Sequence, residues 1–339
     1  MKTQVLPVNE ESIALAAKLL QQGELVALPT ETVYGIAADA RNGEAVKKIF
    51  AAKGRPQDNP LIVHIRGMEM LAGLVSAVPE RAYRLAKAYW PGPLTMVMPR
   101  GPEVSDVTCA GLDTVGIRMP SNTVVQRVIE RSGVAFAAPS ANLSGKPSPT
   151  NAADTLADMD GRLPLILDGG ESLVGVESTV VAITGEKPML LRPGYVTREQ
   201  LEAALGEEVL VSHAILEKLQ DGEIVRSPGM KYKHYAPKAA ITILKGSLEA
   251  YRKYVAAHAA PGVWGLCFDG EGQTLPVPCI EYGSEQAPAE QAHKLFTALR
   301  ELDKAGAAVA YARCPGVDGV SMAVYNRLIR AAAFRVVEL

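Results

Sequence analysis

An alternation constrains this chain more than any other feature. Short apolar runs recur along it, each closed by a proline, a glycine or a polar cluster, with segments of helical period between them. A strand that is apolar on both faces must be covered on both, and intervening helices do the covering, so the pattern predicts an α/β fold. Strands are expected at Leu25–Leu28, Leu61–Ile65, Leu94–Met98, Val115–Arg118, Val134–Ala138, Leu165–Leu167, Ser178–Ile183 and Met189–Leu191. Asn9 is placed to cap a helix through Ile13, Ala16, Leu19 and Leu20 that Gly23 stops. Asn42 caps a second, ending near Lys53-Gly54, and Thr197-Arg-Glu-Gln200 has the form of a capping box for a third.

The pattern changes near residue 209. A short helical piece is followed by SPGMKYKHYAPKA, rich in Pro, Lys, Tyr and His. Flexible linkers are rich in Gly and Ser instead. The segment 209–238 is therefore expected to be an ordered connector that closes over a ligand as a lid. It divides a first domain, 1–208, from a second, 239–339. The second carries strands near Ala240–Leu244, Val263–Phe268 and Ala307–Ala312. Its helices are expected near Leu248–His258, Ser284–Leu302 and Met322–Ala333, making a small, mainly parallel βαβ domain.

Composition excludes several classes. The 339 residues suit two domains, and 48% hydrophobic content can build their cores. A net charge of −2, from 35 basic and 37 acidic residues, argues against a protein coated in positive charge for non-specific nucleic-acid binding. The opening MKTQVLPVNEES has no apolar run, and no segment approaches the roughly 20 apolar residues of a membrane span. The chain is read as cytoplasmic, without a membrane partner. Cys109, Cys267, Cys279 and Cys314 form no CxxC pair and are read as core or surface thiols.

The usual nucleotide signatures are missing: there is no GxxxxGK[ST], no GxGxxG opening a helix and no GxSxG elbow. Polar clusters remain, most of them beside an apolar strand, the place where α/β sheets hold ligands. Pro29-Thr30-Glu31-Thr32-Val33-Tyr34-Gly35 brings two hydroxyls and a carboxylate to a pocket edge, or is a turn closed by its own side chains. Lys53-Gly54-Arg55-Pro56-Gln57-Asp58-Asn59-Pro60 sets two cations on a stiffened loop, as a triphosphate requires, or is a solvated helix end. His64, inside an apolar run, is by itself more typical of a core histidine. Arg118 ends an apolar strand and needs a carboxylate, from protein or ligand; the nearest acid in sequence is Asp113. The run from Ala138 through Ser140, Asn142, Lys146 and Ser148 to Thr150 is dense in donors and small residues that let backbone N–H groups approach phosphate. Glu177-Ser178-Thr179 and Arg192-Pro193-Gly194 complete the set.

Together and in this order, PTETVYG, KGRPxxNPLIVH, WPGPLT, VGIRMP, APSANLSGKPSPT, ESTVV and LRPG resemble the YrdC-like threonylcarbamoyl-AMP synthases. The SPGMKYKHYAPKA tail and the domain after it resemble the two-domain members. The resemblance implies a twisted, mixed α/β sheet with a concave basic face, followed by a Rossmann-like domain. It implies a nucleotidyltransferase that converts L-threonine, bicarbonate or CO2, and ATP into threonylcarbamoyl-AMP and diphosphate. Downstream proteins would pass the threonylcarbamoyl group to tRNAs that read ANN codons, with at most weak direct contact between this chain and tRNA. Magnesium would arrive on the ATP phosphates rather than in a metal cage of the protein.

By matching motif positions, Thr32, His64, Arg118, Ala138 and Ser178 correspond to a threonine site. Arg55, Asn59, Thr114, Ser140, Ser148, Arg192 and Tyr235 correspond to an ATP site, and Lys53, Arg55, Ser140 and Asn142 to the catalytic KxR…SxN signature. The chemistry suits these residue types. A carbamate must approach an anionic α-phosphate, so cations and positioned donors matter more than a nucleophile. Two rivals use the same residues: an RNA-binding module with a basic face, and a carbamoyl-adenylate former of the hydrogenase-maturation type. Aromatic content of 5% gives the first few stacking platforms, and the second has no need of Arg118.

Overall fold

A computed structural model describes residues 2–217 and 235–339. It divides into two compact units, the first holding residues 2–144 and 148–215 among those described. The strands of this unit are β1 (Gln4–Pro7), β2 (Val26–Leu28), β3 (Gly35–Asp39), β4 (Ile62–His64), β5 (Leu94–Pro99), β6 (Thr114–Arg118), β7 (Phe136–Ala137), β8 (Leu165–Asp168), β9 (Thr179–Ala182), β10 (Met189–Arg192) and β11 (Leu210–Val211). They form one 11-stranded mixed sheet in the order β1-β8-β2-β3-β7-β4-β6-β5-β9-β10-β11. The helices are α1 (Glu10–Gln21), α2 (Gly43–Lys53), α3 (Glu80–Tyr89), α4 (Asp106–Cys109), α5 (Thr123–Ser132), α6 (Ala152–Met159) and α7 (Arg198–Leu205).

Local chemistry sets the helix ends. The Asn9 side chain accepts from Ser12 N, and Ser12 returns the bond to the Asn9 backbone. Asn42 caps α2, and Gly54 ends it in the left-handed region, where a side chain would strain the backbone. Thr197 and Gln200 form the expected capping box of α7. The first core joins Ile13 and Leu20 of α1 with Val125 and Val128 of α5, Val26, Phe136 and Leu167.

The second unit takes in residues 235–339. Its strands are β12 (Ala240–Lys245), β13 (Val263–Cys267), β14 (Cys279–Glu281), β15 (Val309–Arg313) and β16 (Val336–Glu338), and its helices are α8 (Leu248–Ala257), α9 (Pro288–Lys304) and α10 (Gly319–Ala331). The order β14-β13-β15-β12-β16 is parallel throughout, the arrangement of a Rossmann-like sheet. The first sheet takes in Leu210–Val211, which lie inside the expected connector 209–238 and pair with Met189–Leu190. Residues 218–234 of the expected lid lie outside the described residues.

Candidate active site

Three loops of the first unit are tied to one another by backbone bonds. Tyr34 N donates to Pro149 O and Ala141 N to Tyr34 O, while Val174 N and Gly175 N donate to Glu31 O and Thr32 O. The motifs PTETVYG, APSANLSGKPSPT and GVEST thus meet, although sequence separates them widely. Inside the first loop the Thr30 hydroxyl accepts from the N–H groups of Thr32 and Val33 and donates to Val33 O at 2.7 Å. That self-closed turn aims residues 31 and 32 at the end of β6. The reading of this cluster as a turn closed by its own side chains is met.

Arg118 closes β6 and is buried. Its Nη1 donates to Thr32 Oγ1 at 2.9 Å, and Thr32 Oγ1 lies 2.8 Å from Thr30 Oγ1. Its acid partner is Glu31, not the sequence neighbour Asp113: Arg118 Nη2 lies 2.8 Å from Glu31 Oε1, with both side chains buried. The separation is that of an ion pair, but no N–H points along it. Arg118 Nη2 and both Glu31 oxygens are left without a hydrogen bond. Buried polar atoms in native proteins are nearly always bonded, so this pair keeps hydrogen-bonding capacity for a further partner.

His64 lies beside Arg118, since β4 and β6 pair with His64 opposite Arg118. Its Nδ1 bonds Ile62 O at 3.1 Å, and its ring stacks on Phe136 at 5.6 Å. Burial, then the Arg118 charge, lowers its pKa from 6.5 to about 3, against the opposing pull of the Ile62 carbonyl. His64 is neutral at physiological pH, and a proton bound to Nδ1 leaves Nε2 as an acceptor. The unfolded chain binds a proton below pH 6.5 where the folded chain refuses it, so stability is full above 6.5 and falls as pH drops towards 3. In His64→Gln this contribution should vanish. Melting temperatures measured from pH 7 to 4 should fall less steeply than in wild type; equal slopes would show that another group drives acid unfolding.

Ser178 enters β9 with its Oγ 2.8 Å from Thr95 Oγ1, and Thr95 pairs with Arg118 across β5 and β6. Arg192 donates from Nε to Ser178 O at 3.0 Å and from Nη2 to Ser178 Oγ at 3.1 Å. Gly194 makes this approach possible. A Cβ there would fall on Thr179 N, 2.7 Å from Thr179 Oγ1 and 2.8 Å from the Ser178 carbonyl carbon. Gly194→Ala must therefore push β9 away from the loop after β10. It should lower Tm. An unchanged Tm would mean that the Arg192–Ser178 pairing tolerates the shift.

A second cluster is built by α2 and the loop after β7. Lys53 is buried, and its ammonium donates to the carbonyls of Ser140 and Asn142, the latter at 2.6 Å. Ser140 Oγ donates to Asn142 Oδ1 at 2.6 Å. Arg55 lies over the Phe50 ring and donates weakly to Asn59 O at 3.4 Å. Asn59 is fully buried, yet neither its amide oxygen nor its nitrogen has a hydrogen-bond partner. Ser148 donates to Glu177 Oε1 at 2.6 Å, and Ala138 N donates to Ile62 O. A narrow cleft lined by Pro60, Ile62, Thr95, Thr114 and Gly116 runs along the sheet. Thr114 and Arg118 stand on one face of β6, about 13 Å apart at four strand residues. The side-chain-free Gly116 between them keeps the floor low.

Tyr235 is described in the second unit. It has φ 61° and packs on Phe296 at 5.2 Å beneath the Arg327 guanidinium. Among the described residues no group of three or more His, Cys, Asp or Glu is placed to hold a metal ion, and no helix is long and apolar enough to cross a membrane. All four cysteines are free, with Cys109 and Cys267 buried. Sequence reasoning set Glu31 at a pocket edge and Glu177 in a polar cluster without naming a partner for either, and it did not single out Thr95. For Glu31 the signal is a charge set between two threonines immediately after an apolar strand.

A mixed sheet with these loops at its centre, followed by a parallel α/β unit, defines the Sua5/YciO/YrdC class, whose family model, described as telomere recombination, matches residues 18–194. A second model, the C-terminal domain of threonylcarbamoyl-AMP synthase, matches residues 196–333. The chain belongs to the threonylcarbamoyl-AMP synthase family. It is 42% identical to the threonylcarbamoyl-AMP synthase of Pyrococcus abyssi over 98% of this chain and 97% of that one. With the Bacillus subtilis protein of the same name the identity is 43%, over 99% and 97%. The crystal structure of Pyrococcus abyssi Sua5 complexed with L-threonine superposes with a TM-score of 0.92 at 40% identity, covering 99% of this chain and all of that one (100%).

Proposed function

We infer that this chain is an L-threonylcarbamoyladenylate synthase, joining L-threonine, bicarbonate or CO2, and ATP into threonylcarbamoyl-AMP and diphosphate. The product supplies the first step of N6-threonylcarbamoyladenosine formation in tRNA. Arg118 carries the reading: a buried guanidinium with an unused donor, flanked by Thr32, His64 and Ser178, is built for a carboxylate borne by a hydroxylated amino acid. The relative solved with L-threonine supports the same substrate.

In this assignment Thr32, His64, Arg118, Ala138 and Ser178 hold threonine. Arg55, Asn59, Thr114, Ser140, Ser148, Arg192 and Tyr235 serve ATP. Asn59 supplies both an amide donor and an acceptor that nothing in the protein uses. Arg55 offsets phosphate charge, while Lys53 holds the Ser140–Asn142 turn that presents donors to the phosphates. The chemistry is nucleotidyl transfer: a carbamate oxygen displaces diphosphate from the α-phosphorus. Bringing the partners together in one groove is worth up to roughly 7–11 kcal/mol for ideal orientation. Magnesium carried by the ATP phosphates would neutralise charge there.

Diphosphate release should require threonine and bicarbonate together, and mass spectrometry should find threonylcarbamoyl-AMP. Release with carbamoyl phosphate and no threonine would favour the carbamoyl-adenylate rival and overturn this assignment.

A further inference from the structure

Threonine reaches its site as a zwitterion, and one carbon separates its ammonium from its carboxylate. A protein that recognises both ends needs a cation and an anion side by side. Arg118 and Glu31 are such a pair, in contact at 2.8 Å and both buried. The bonds they lack are complementary to the same substrate. Arg118 commits Nη1 to Thr32 and only a long contact of 3.4 Å from Nε to Gly92 O, which leaves Nη2. Glu31 has two acceptor oxygens with no donor at all. A carboxylate that existed merely to neutralise Arg118 would point its oxygens along the N–H bonds, as fork-to-fork pairs do.

We propose that Glu31 is a catalytic residue: it binds the α-ammonium of threonine while Arg118 binds the carboxylate, and it then takes a proton from that ammonium. The proposal rests on the threonine assignment made above and deepens it. An ammonium has no lone pair and cannot attack carbon. When one N–H bond breaks, its proton forms an O–H bond with a Glu31 oxygen and leaves a lone pair on nitrogen. That pair forms the N–C bond to dissolved CO2, or to CO2 released from bicarbonate, as one C=O π pair moves onto oxygen. The second nitrogen proton passes to water, leaving the neutral N–H of a carbamate, and Glu31 returns its proton to water before the next cycle. The ordered Thr30–Thr32–Arg118 chain of hydroxyls and guanidinium holds Glu31 beside this nitrogen without competing for its oxygens.

The test compares threonine with 2,3-dihydroxybutanoate of matching stereochemistry, in which a hydroxyl replaces the ammonium. Calorimetry on the full-length protein should show wild type preferring threonine by at least about tenfold, a single charge-assisted contact. In Glu31→Gln the two ligands should bind alike, and turnover should fall at neutral pH. It should then recover by about tenfold per pH unit as free amine accumulates. Tighter threonine binding in Glu31→Gln would show that Glu31 only blocks Arg118 and would overturn the proposal. Retained discrimination with wild-type turnover would do the same. Should the variant fail to fold, wild type alone decides: threonine binding with no preference over the hydroxy acid sinks the role of Glu31. Absence of threonine binding to wild type sinks the threonine assignment itself.

Discussion

Arg118→Ala should raise the threonine KM between about thirty- and several-thousand-fold, while the ATP KM stays within about threefold. The range corresponds to losing one side of a buried, hydrogen-bonded charge pair, about 2–5 kcal/mol. The selectivity follows from position. Arg118 touches Thr32, Glu31 and, across the strand pair, His64, whereas the groups assigned to the nucleotide stand around α2, the loop after β7 and the far end of β6. Arg118→Lys should restore only part of the affinity, because an ammonium is a point charge and cannot hold Thr32 and a carboxylate in one plane.

Stability complicates the single variant, since alanine leaves Glu31 buried without its cation. That should cost about 3–5 kcal/mol of folding free energy. The double variant Arg118→Met with Glu31→Gln removes both charges and should regain most of the lost Tm without regaining threonine use. Steady-state diphosphate release at saturating ATP, read beside thermal melts, separates the effects. A single Arg118→Ala variant with an unchanged threonine KM would end the assignment. Recovery of threonine use in the double variant would show that the loss had come through folding.

How far sequence could foresee this arrangement depended on how local the information was. The caps at Asn9, Asn42 and Thr197 are short-range chemistry, and each forms where the residues place it. The apolar runs of β4, β5, β6, β8, β9 and β10 were legible to within a residue or two because burial on both faces leaves little that is polar inside them, Thr95 of β5 being an exception. β3 was not foreseen: apart from Ile36, Gly35-Ile-Ala-Ala-Asp39 is made of poor strand formers, and its place between β2 and β7 comes from tertiary pairing. Helix α5 escaped because Thr123, Val124, Val125, Val128 and Ile129 are β-branched, and its helical signal rests on Asn122, Gly133 and one apolar stripe. In the site, residue types pointed to carboxylate and phosphate chemistry, but partners could not be read. Glu31 and Arg118 lie 87 residues apart, and Lys53 meets Ser140 across 87 residues as well. Those pairings exist only once the loops have been tied together.

Lys53→Met tests the least intuitive of these pairings. Position two residues before Arg55 suggests a second phosphate cation, yet the ammonium is buried and donates to two carbonyls of the loop after β7. Ser144 N returns a bond to Lys53 O, so the end of α2 and this loop are strapped at two levels. Methionine keeps the apolar stem and removes the donors. The buried Asn142 carbonyl then loses this donor, at about 1–3 kcal/mol, and the partly buried Ser140 carbonyl loses it at less. The cheapest relief is for the Ser140–Asn142 turn to open towards water. Turnover should then fall on the order of a hundredfold or more, because misplacing positioned donors by about an ångström is that costly. The ATP KM should rise, and the threonine KM should move less, since Thr32, Arg118 and Ser178 do not lean on Lys53. The loop itself gives a direct readout: chymotrypsin should cut after Leu143 faster in Lys53→Met than in wild type. Lys53→Arg separates a strap from a simple positive charge. If charge near the phosphates is what matters, arginine should restore most of the turnover. If the strap matters, the larger planar guanidinium cannot reproduce a compact ammonium in a slot only 3% exposed, and both the slow turnover and the cleavable loop should persist.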